Sequence, residues 1–212
     1  SERGTPFVDP YLFRQDRSEG NQLGRSLQEG WVNTTASNSQ VFKANTGLQP
    51  FVIADGVSRD LEDLIRGISL PAFKIGSTDD PIGLISKVLD RQRQEGQFVE
   101  ELHFIAHGNQ EGIHLGGQFI DTAELEKNAV ELGTWNLKRI VLWSCYVGGN
   151  SQWIDKLEEL TGAEVFSSQC LLDRDNTEIY SEQSTLLDLS SVIDHDTLSN
   201  WKGSLVDLVG SS

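Results

Sequence analysis

Residues 102–108 have the sequence LHFIAHG, and residues 139–145 have the sequence RIVLWSC. Each stretch is a short, mostly apolar run that closes on a reactive side chain, His107 in the first and Cys145 in the second. Runs that are apolar on both faces are typical of strands in a parallel sheet that is covered on both sides. The two stretches therefore predict core strands of an α/β domain.

The segments around these two runs alternate between strand-like and helical patterns of hydrophobicity. Further strands are predicted at residues 51–54, 72–75 and 163–167, and amphipathic stretches separate them. The pair Gly116-Gly117 between two alternating runs is the signal of a tight β-hairpin. The predicted fold is an α/β three-layer sandwich, in which helices flank a mostly parallel sheet and a β-hairpin follows the histidine strand.

The two ends of the chain show less hydrophobic periodicity than its centre. Residues 1–48 are rich in Ser, Asn, Gln, Gly and Arg and show no sustained hydrophobic period, which predicts a polar N-terminal extension. Residues 49–208 are predicted to form the α/β domain, with a less periodic tail and a final strand near residues 201–205. A chain of 212 residues can bury one substantial core and does not require two.

Composition excludes several classes of partner. The chain has 17 basic and 32 acidic residues, a net charge of −15, with no long block of one sign, so we expect no nucleic-acid partner. It contains no run of 18 apolar residues, so we expect no membrane insertion. Its two cysteines and four histidines do not show metal-ligand spacing, so we expect neither a metal nor another cofactor.

The two reactive side chains point to one kind of chemistry. The carboxyl ends of neighbouring parallel strands meet at one edge of a sheet, and His107 and Cys145 both lie at such ends. A thiol must ionise to attack a carbonyl carbon, and a nearby imidazole can take its proton and later protonate the leaving amine. Gly108 allows close approach of the backbone, so the N–H groups of Gly108 and Cys145 are predicted to form an oxyanion hole beside a catalytic dyad.

These motifs resemble the clan of caspases, gingipains, legumain and separase, cysteine peptidases that have His-Gly at one strand end and Cys at the next. The blocks at residues 102–108, 112–116, 143–145 and 160–165 are more similar still to an uncharacterised caspase-like domain family found near the start of large bacterial surface and adhesin-like proteins. The resemblance implies a caspase-like fold and a cysteine endopeptidase. It also implies a polypeptide substrate, with the parent chain as a candidate, and an extracellular or cell-surface location.

Acidic residues after the strands suggest how a substrate would be bound. Asp55, Asp173 and Asp175 are candidate substrate-binding residues, although a role as a turn or helix-capping acid is the stronger alternative for Asp55. Carboxylates at the cleft favour a basic residue before the scissile bond. Trp143 stands where metacaspase-type relatives carry aspartate, so an apolar or small residue there is an almost equal alternative.

Two other classes of function stay open. A binding or assembly module would keep the fold without catalysis, whereas a working Cys145 should be alkylated much faster than Cys170. A flavodoxin-like ligand domain ranks last, because residues 55–60 hold two acids and would cradle a phosphate poorly. If the chain cleaves itself, we expect the cut in residues 1–48 or in the loop after Cys170.

Overall fold

The computed structural model describes residues 27–32, 47–149, 151–180 and 186–206. Its strands are, in chain order, β1 (Trp31–Val32), β2 (Pro50–Asp55), β3 (Ala72–Ile75), β4 (Glu101–Ile105), β5 (Gly108–Asn109), β6 (Gly112–Leu115), β7 (Gln118–Ile120), β8 (Arg139–Trp143), β9 (Glu164–Phe166), β10 (Glu178–Tyr180) and β11 (Leu186–Asp188). Its α-helices are α1 (Glu62–Arg66), α2 (Pro81–Gln94), α3 (Thr122–Lys127), α4 (Ala129–Gly133), α5 (Ser151–Thr161) and α6 (His195–Asn200).

The described residues form a central sheet of six strands in the order β1-β3-β2-β4-β8-β9. Neighbours from β3 to β9 are parallel, and only β1, at the edge, runs antiparallel to its partner β3. Each parallel pair is joined by a connection that returns over one face of the sheet, which is why helices cover both faces. The mostly parallel α/β sandwich predicted from the sequence is confirmed.

Two apolar layers hold the sheet between its helices. On one face, α2 to α5 bury a large cluster against the sheet, with these members among others: Phe51, Ile53, Ile85, Val88, Leu102, Phe104, Leu132, Leu142, Trp153 and Leu157. On the other face, α1, α6 and the C-terminal tail bury a second cluster, with these members among others: Val52, Ala54, Leu61, Leu64, Ile105, Val141, Trp143, Cys145, Leu172 and Leu205. Residues of one strand alternate between the two clusters, as the period of two requires.

The predicted hairpin follows the histidine strand as β6 and β7, and β5 pairs with β6 to complete a small antiparallel sheet. Gly116 and Gly117 form its turn with φ values of 61° and 83°. Two successive positive φ values are those of the turn type that matches the twist of a hairpin, and they favour glycine. The hairpin is therefore encoded locally, by two residues.

Residues 27–32 of the predicted extension lie against the sheet. The Trp31 ring makes edge contacts with Phe73 and Phe51, with centroid distances of 5.2 Å and 6.1 Å. A two-residue strand such as β1 is too short to give a periodic signal, so the sequence did not predict it. Other residues of the extension, 1–26 and 33–46, lie outside the described part of the chain, and the boundary at residue 48 stays a prediction.

The tail crosses the second apolar layer, and its last described residues lie over the sheet's carboxyl edge. The strand predicted near residues 201–205 is replaced by isolated bridges, in which Ser204 pairs with Asp173 and Val206 pairs with Gly108. These bridges bring the last described residues beside the strand ends that carry His107 and Cys145.

Candidate active site

His107 and Cys145 follow the ends of two neighbouring strands. The parallel pairing of β4 with β8 matches His103 with Val141 and Ile105 with Trp143, where both strands end. His107 and Cys145 each lie two residues beyond these ends. Their pairing as a catalytic dyad stays a prediction.

Asp60 holds the His107 ring. Nε2 of His107 lies 2.7 Å from Oδ2 of Asp60, in the short 3-10 helix Arg59–Leu61 that follows β2. Nδ1 of His107 is buried and has no hydrogen-bond partner among the described residues. When the Nε2–H donates to the carboxylate, the neutral imidazole keeps its lone pair on Nδ1. Nδ1 is thus the nitrogen that remains for proton transfer.

The Cys145 thiol is fully buried. Its Sγ accepts a hydrogen bond of 3.0 Å from the Leu172 N–H and lies 3.6 Å from the Leu172 carbonyl oxygen. Burial raises the pKa of the thiol to about 11, the charge of Asp173 adds to the rise, and backbone hydrogen bonds from Leu172 and Leu205 act against it. In the state described by the structure, the thiol is therefore protonated at neutral pH.

The N–H groups of Gly108 and Cys145 converge on one carbonyl oxygen. That oxygen belongs to Leu205, at 3.0 Å from the Gly108 nitrogen and 3.2 Å from the Cys145 nitrogen. Two backbone donors at about this distance are what stabilises the oxyanion of an acyl-transfer intermediate. The two groups that the sequence predicted as an oxyanion hole therefore share one peptide carbonyl as acceptor.

The chain turns sharply directly after Cys145. Tyr146, the next residue, has a φ of 62°, in a left-handed region that costs a bulky residue about 1–2 kcal/mol. Strained residues of this kind persist where the surrounding structure determines them, often at functional sites. The turn leads at once into the 3-10 helix Val147–Gly149.

Of the three acids predicted to bind substrate, Asp55 accepts hydrogen bonds from its own loop and from the hairpin turn. It is almost fully buried, and its Oδ1 accepts hydrogen bonds from the N–H groups of Val57 and Gly116, both at 3.1 Å. Its Oδ2 accepts a hydrogen bond of 2.6 Å from the Ser58 hydroxyl. These contacts are those of a turn acid, the alternative that the sequence favoured, and its role toward a substrate stays a prediction.

The other two predicted acids lie in one turn. Oδ1 of Asp173 accepts hydrogen bonds from the N–H groups of Asp175 at 2.9 Å and Asn176 at 3.0 Å. Asp173 also pairs with Ser204 and raises the pKa of Cys145, which places it close to the thiol, whereas Asp175 is exposed to solvent. Asp173 is thus the predicted acid that borders the candidate site.

Trp143 belongs to the core below the site. It is fully buried, and its Nε1 donates a hydrogen bond of 3.0 Å to Nδ1 of His103. Nε2 of His103 in turn lies 2.6 Å from Oε1 of Glu101. These buried polar groups satisfy one another, which explains how a histidine and a glutamate are accommodated inside the second apolar layer.

Sequence reasoning missed Asp60 and Leu205. An acid in the loop after the first buried strand was visible, but no fixed spacing links such a loop to a histidine on another strand. Leu205 gave no signal at all, because only the tertiary path of the tail brings its carbonyl to the two N–H groups. Both residues are identified by their contacts in the structure, and no sequence pattern marks them.

Neither a metal site nor a membrane span is found in the part of the chain that the structure describes. Its histidine, cysteine, aspartate and glutamate side chains form no group of three that could hold a metal ion. Its helices are also too short or too polar to cross a bilayer.

The chain is an α/β protein with a mostly parallel sheet, in which a histidine-glycine pair and a cysteine follow the ends of two adjacent strands. The chain belongs to the family described as domain of unknown function DUF4347, whose family model matches residues 51–177. The match begins in β2, ends just before β10 and includes His107 and Cys145. No curated protein and no solved structure matches the chain.

The two cysteines are expected to differ sharply in reactivity. In the folded chain at neutral pH, iodoacetamide should modify the exposed Cys170 at least about 100-fold faster than Cys145, because only ionised thiols react and Cys145 is both buried and held protonated. This order is the reverse of that expected for an open, working nucleophile. Peptide mapping after timed alkylation measures it, and comparable early labelling of Cys145 would show that residues 201–206 do not protect the thiol.

Stability should depend on pH through Cys145. A thiol whose pKa rises from 9.0 to about 11 on folding contributes stability that is fully present below pH 9 and is lost as the pH rises toward 11. We expect the difference in unfolding free energy between the wild type and Cys145→Ala to shrink by about 2 kcal/mol between pH 8 and pH 11. Urea unfolding at each pH measures the difference. Cys170→Ala, which removes the exposed thiol, is measured beside it as the control.

Proposed function

We propose that the chain is a caspase-like cysteine endopeptidase in which His107 and Cys145 form the catalytic dyad. The observation that carries this proposal is the convergence of the Gly108 and Cys145 N–H groups on a single peptide carbonyl oxygen. A peptide carbonyl held in this way has its developing negative charge stabilised during attack by a thiol. The resemblance to the caspase clan implies the same assignment of the two N–H groups.

Each side chain then has a defined role. Nδ1 of His107 accepts the proton of the Cys145 thiol and later gives it to the leaving amine. Asp60 positions the His107 ring through Nε2 and favours the imidazolium that forms during transfer. Asp173 borders the site as a candidate contact for the substrate backbone or side chains.

The resemblance also suggests the setting. Related domains lie near the start of large bacterial surface proteins, so an extracellular or cell-surface location is proposed. A tethered polypeptide reaches an effective concentration of about millimolar order at the site, far above that of a typical free substrate. The parent chain is therefore the first candidate substrate.

A second candidate function is a catalytically silent binding or assembly module. It is favoured by the complete burial of Cys145 and by a thiol pKa of about 11. In this case the domain would bind a partner through its surface, and His107 and Cys145 would catalyse no reaction. Peptidase activity measured on the full chain separates the two candidates.

The deciding experiment is product analysis by mass spectrometry. The full chain is incubated with a diverse mixture of peptides, and Cys145→Ala and Cys170→Ala are run beside it. We expect new peptide termini with the wild type and with Cys170→Ala, and none with Cys145→Ala. If all three proteins leave both the mixture and their own chains unchanged, or if Cys145→Ala still cuts, the peptidase proposal is wrong.

Asp60 offers a test of how the dyad is positioned. Asp60→Asn should lower the rate of peptide cleavage by about 10- to 100-fold, because an amide does not stabilise the imidazolium and can present the wrong hydrogen-bonding group to Nε2. Asp60 is more than half exposed, so folding should be little affected. The readout is the pH profile of kcat/KM: its acidic limb should move. An unchanged profile with a uniformly lower rate would indicate a merely structural role.

A further inference from the structure

Both backbone polar groups of Leu205 are held at the candidate active site. Its carbonyl oxygen accepts the hydrogen bonds from Gly108 and Cys145, and its N–H donates a hydrogen bond of 3.0 Å to the Leu172 carbonyl oxygen. Leu172 is also the residue whose N–H contacts the Cys145 sulfur. Leu205 therefore sits between the thiol's own backbone and the segment that follows β9.

The residues on either side of Leu205 are held as an extended peptide would be. Ser204 pairs in antiparallel fashion with Asp173, and Val206 pairs in parallel fashion with Gly108. Pairing of an extended segment with the backbone of a groove is a common way for proteins to bind peptides. Residues 204–206 of the tail are thus held by β5, by the start of Cys145's loop and by the loop after β9.

The Leu205 side chain fills an apolar pocket. It is fully buried in the second apolar layer, in the cluster that also contains Cys145, Leu172 and Trp201. A backbone hydrogen bond from Leu205 also acts on the Cys145 thiol and lowers its pKa. The sulfur, the leucine backbone and the leucine side chain therefore share one enclosed space.

We propose that the Leu205–Val206 peptide bond is the chain's own substrate, cleaved in cis by Cys145. The inference rests on the proposed peptidase function and gives it a leucine-directed specificity. It differs from both expectations made from the sequence, a cut in residues 1–48 or after Cys170 and a basic residue before the scissile bond. The reason is that the carbonyl in the two-donor site belongs to a buried leucine.

The cleavage needs only Cys145, His107, the two N–H groups and water. His107 takes the thiol proton, and the sulfur of Cys145 forms a bond to the Leu205 carbonyl carbon while the two N–H groups hold the oxyanion. The intermediate collapses by breaking the bond from that carbon to the Val206 nitrogen, and the leaving amine receives the proton from His107. Water then hydrolyses the thioester: its oxygen bonds to the Leu205 carbonyl carbon as the bond to sulfur breaks, one of its protons restores the thiol, and the other passes to the released amine, which leaves a Leu205 carboxylate.

The test follows the intact mass of the full chain over time. We expect a product that ends at Leu205 and a released peptide that begins at Val206, with a first-order rate that does not depend on protein concentration. The incubations span pH 7 to pH 9, where the thiol is still protonated and its proton is available for transfer to His107. Cys145→Ala should stay intact.

A matched pair of variants tests the pocket. Leu205→Ala should slow the cut by about 10- to 100-fold, the range expected when a buried leucine side chain is removed from recognition. Leu187→Ala makes the same change on β11, in the same apolar layer, and should leave the rate within about twofold. Circular dichroism shows that each variant is folded before its rate is compared.

Three results would overturn the proposal: an unchanged mass across this pH range, a product that ends at another residue, or a Leu205 product that also forms in Cys145→Ala. Failure here is distinguishable from failure of the proposed function. A chain that cuts peptides in trans but not its own Leu205–Val206 bond keeps the peptidase assignment and loses this inference. A chain that does neither loses both.

Discussion

Replacing Gly108 with alanine is expected to cost about 1–3 kcal/mol of stability and to reduce peptide cleavage by about 100-fold or more. A β-carbon at this position would lie 2.8 Å from a Val147 methyl group, 2.9 Å from the Ser144 β-carbon and 3.1 Å from the Gly112 carbonyl oxygen. Two of these neighbours cannot move without shifting backbone, so the Gly108 N–H should be displaced from the carbonyl that it contacts.

The matched control for this change is Gly133→Ala. Within the described part of the chain, a β-carbon at Gly133, the last residue of α4, would meet only the Leu160 carbonyl oxygen, at 3.9 Å. Its stability should be unchanged or slightly raised, because alanine favours a helix over glycine. Thermal unfolding and kcat/KM are measured on both variants. Equal effects of the two substitutions would contradict the crowded position assigned to Gly108.

The second large effect is expected for His107→Ala, which should lower peptide cleavage by about 100- to 10,000-fold. The variant loses the base that takes the thiol proton and the acid that protonates the leaving amine. Its partner Asp60 is more than half exposed, so the carboxylate left behind remains solvated and the fold should survive.

The control for this variant is His195→Ala, which removes an exposed histidine at the start of α6. It should cleave peptides at the wild-type rate. Single-turnover kinetics with a fluorogenic peptide compares the two. A His107→Ala protein that retained most of its activity would show that the histidine does not serve the thiol.

Much of the fold could be predicted because its signals are local. The buried strands β4 and β8 are continuous apolar runs, and Gly116-Gly117 encodes a turn that few other residues could form. The same runs place His107 and Cys145 just beyond neighbouring strand ends, since parallel strands bring their carboxyl ends to one edge, and their role as a dyad stays a proposal. The sequence pattern predicts the structure correctly where a single strand or turn carries the whole signal.

The rest depends on contacts between distant parts of the chain. Asp60 reaches His107 from a loop after β2, and Leu205 reaches Gly108 and Cys145 from the tail, with no periodicity to mark either approach. Asp55 shows the opposite case: its place at a strand end suggested a substrate contact, but buried N–H groups of its own loop and of the hairpin turn occupy its carboxylate.

The state of the thiol was also beyond prediction from sequence. Whether Cys145 is an open nucleophile or a buried one depends on what covers it, and here the cover is supplied by Leu172 and Leu205. Leu205 contributes to this cover and also places its carbonyl oxygen against the Gly108 and Cys145 N–H groups. In the cleavage that we propose, one segment is therefore both the cover of the thiol and its substrate.

The most direct test of the dyad is NMR of a ¹³C-labelled peptide aldehyde that ends in leucine. At millimolar concentration the aldehyde should compete with residues 201–206 and add to the Cys145 sulfur, giving a hemithioacetal whose oxygen lies between the two N–H groups. The hemithioacetal carbon signal is expected with the wild type and with Cys170→Ala, and it should be absent with Cys145→Ala. A wild-type spectrum with only free and hydrated aldehyde, or a signal that persists in Cys145→Ala, would contradict the central claim that Cys145 is the nucleophile of a peptidase.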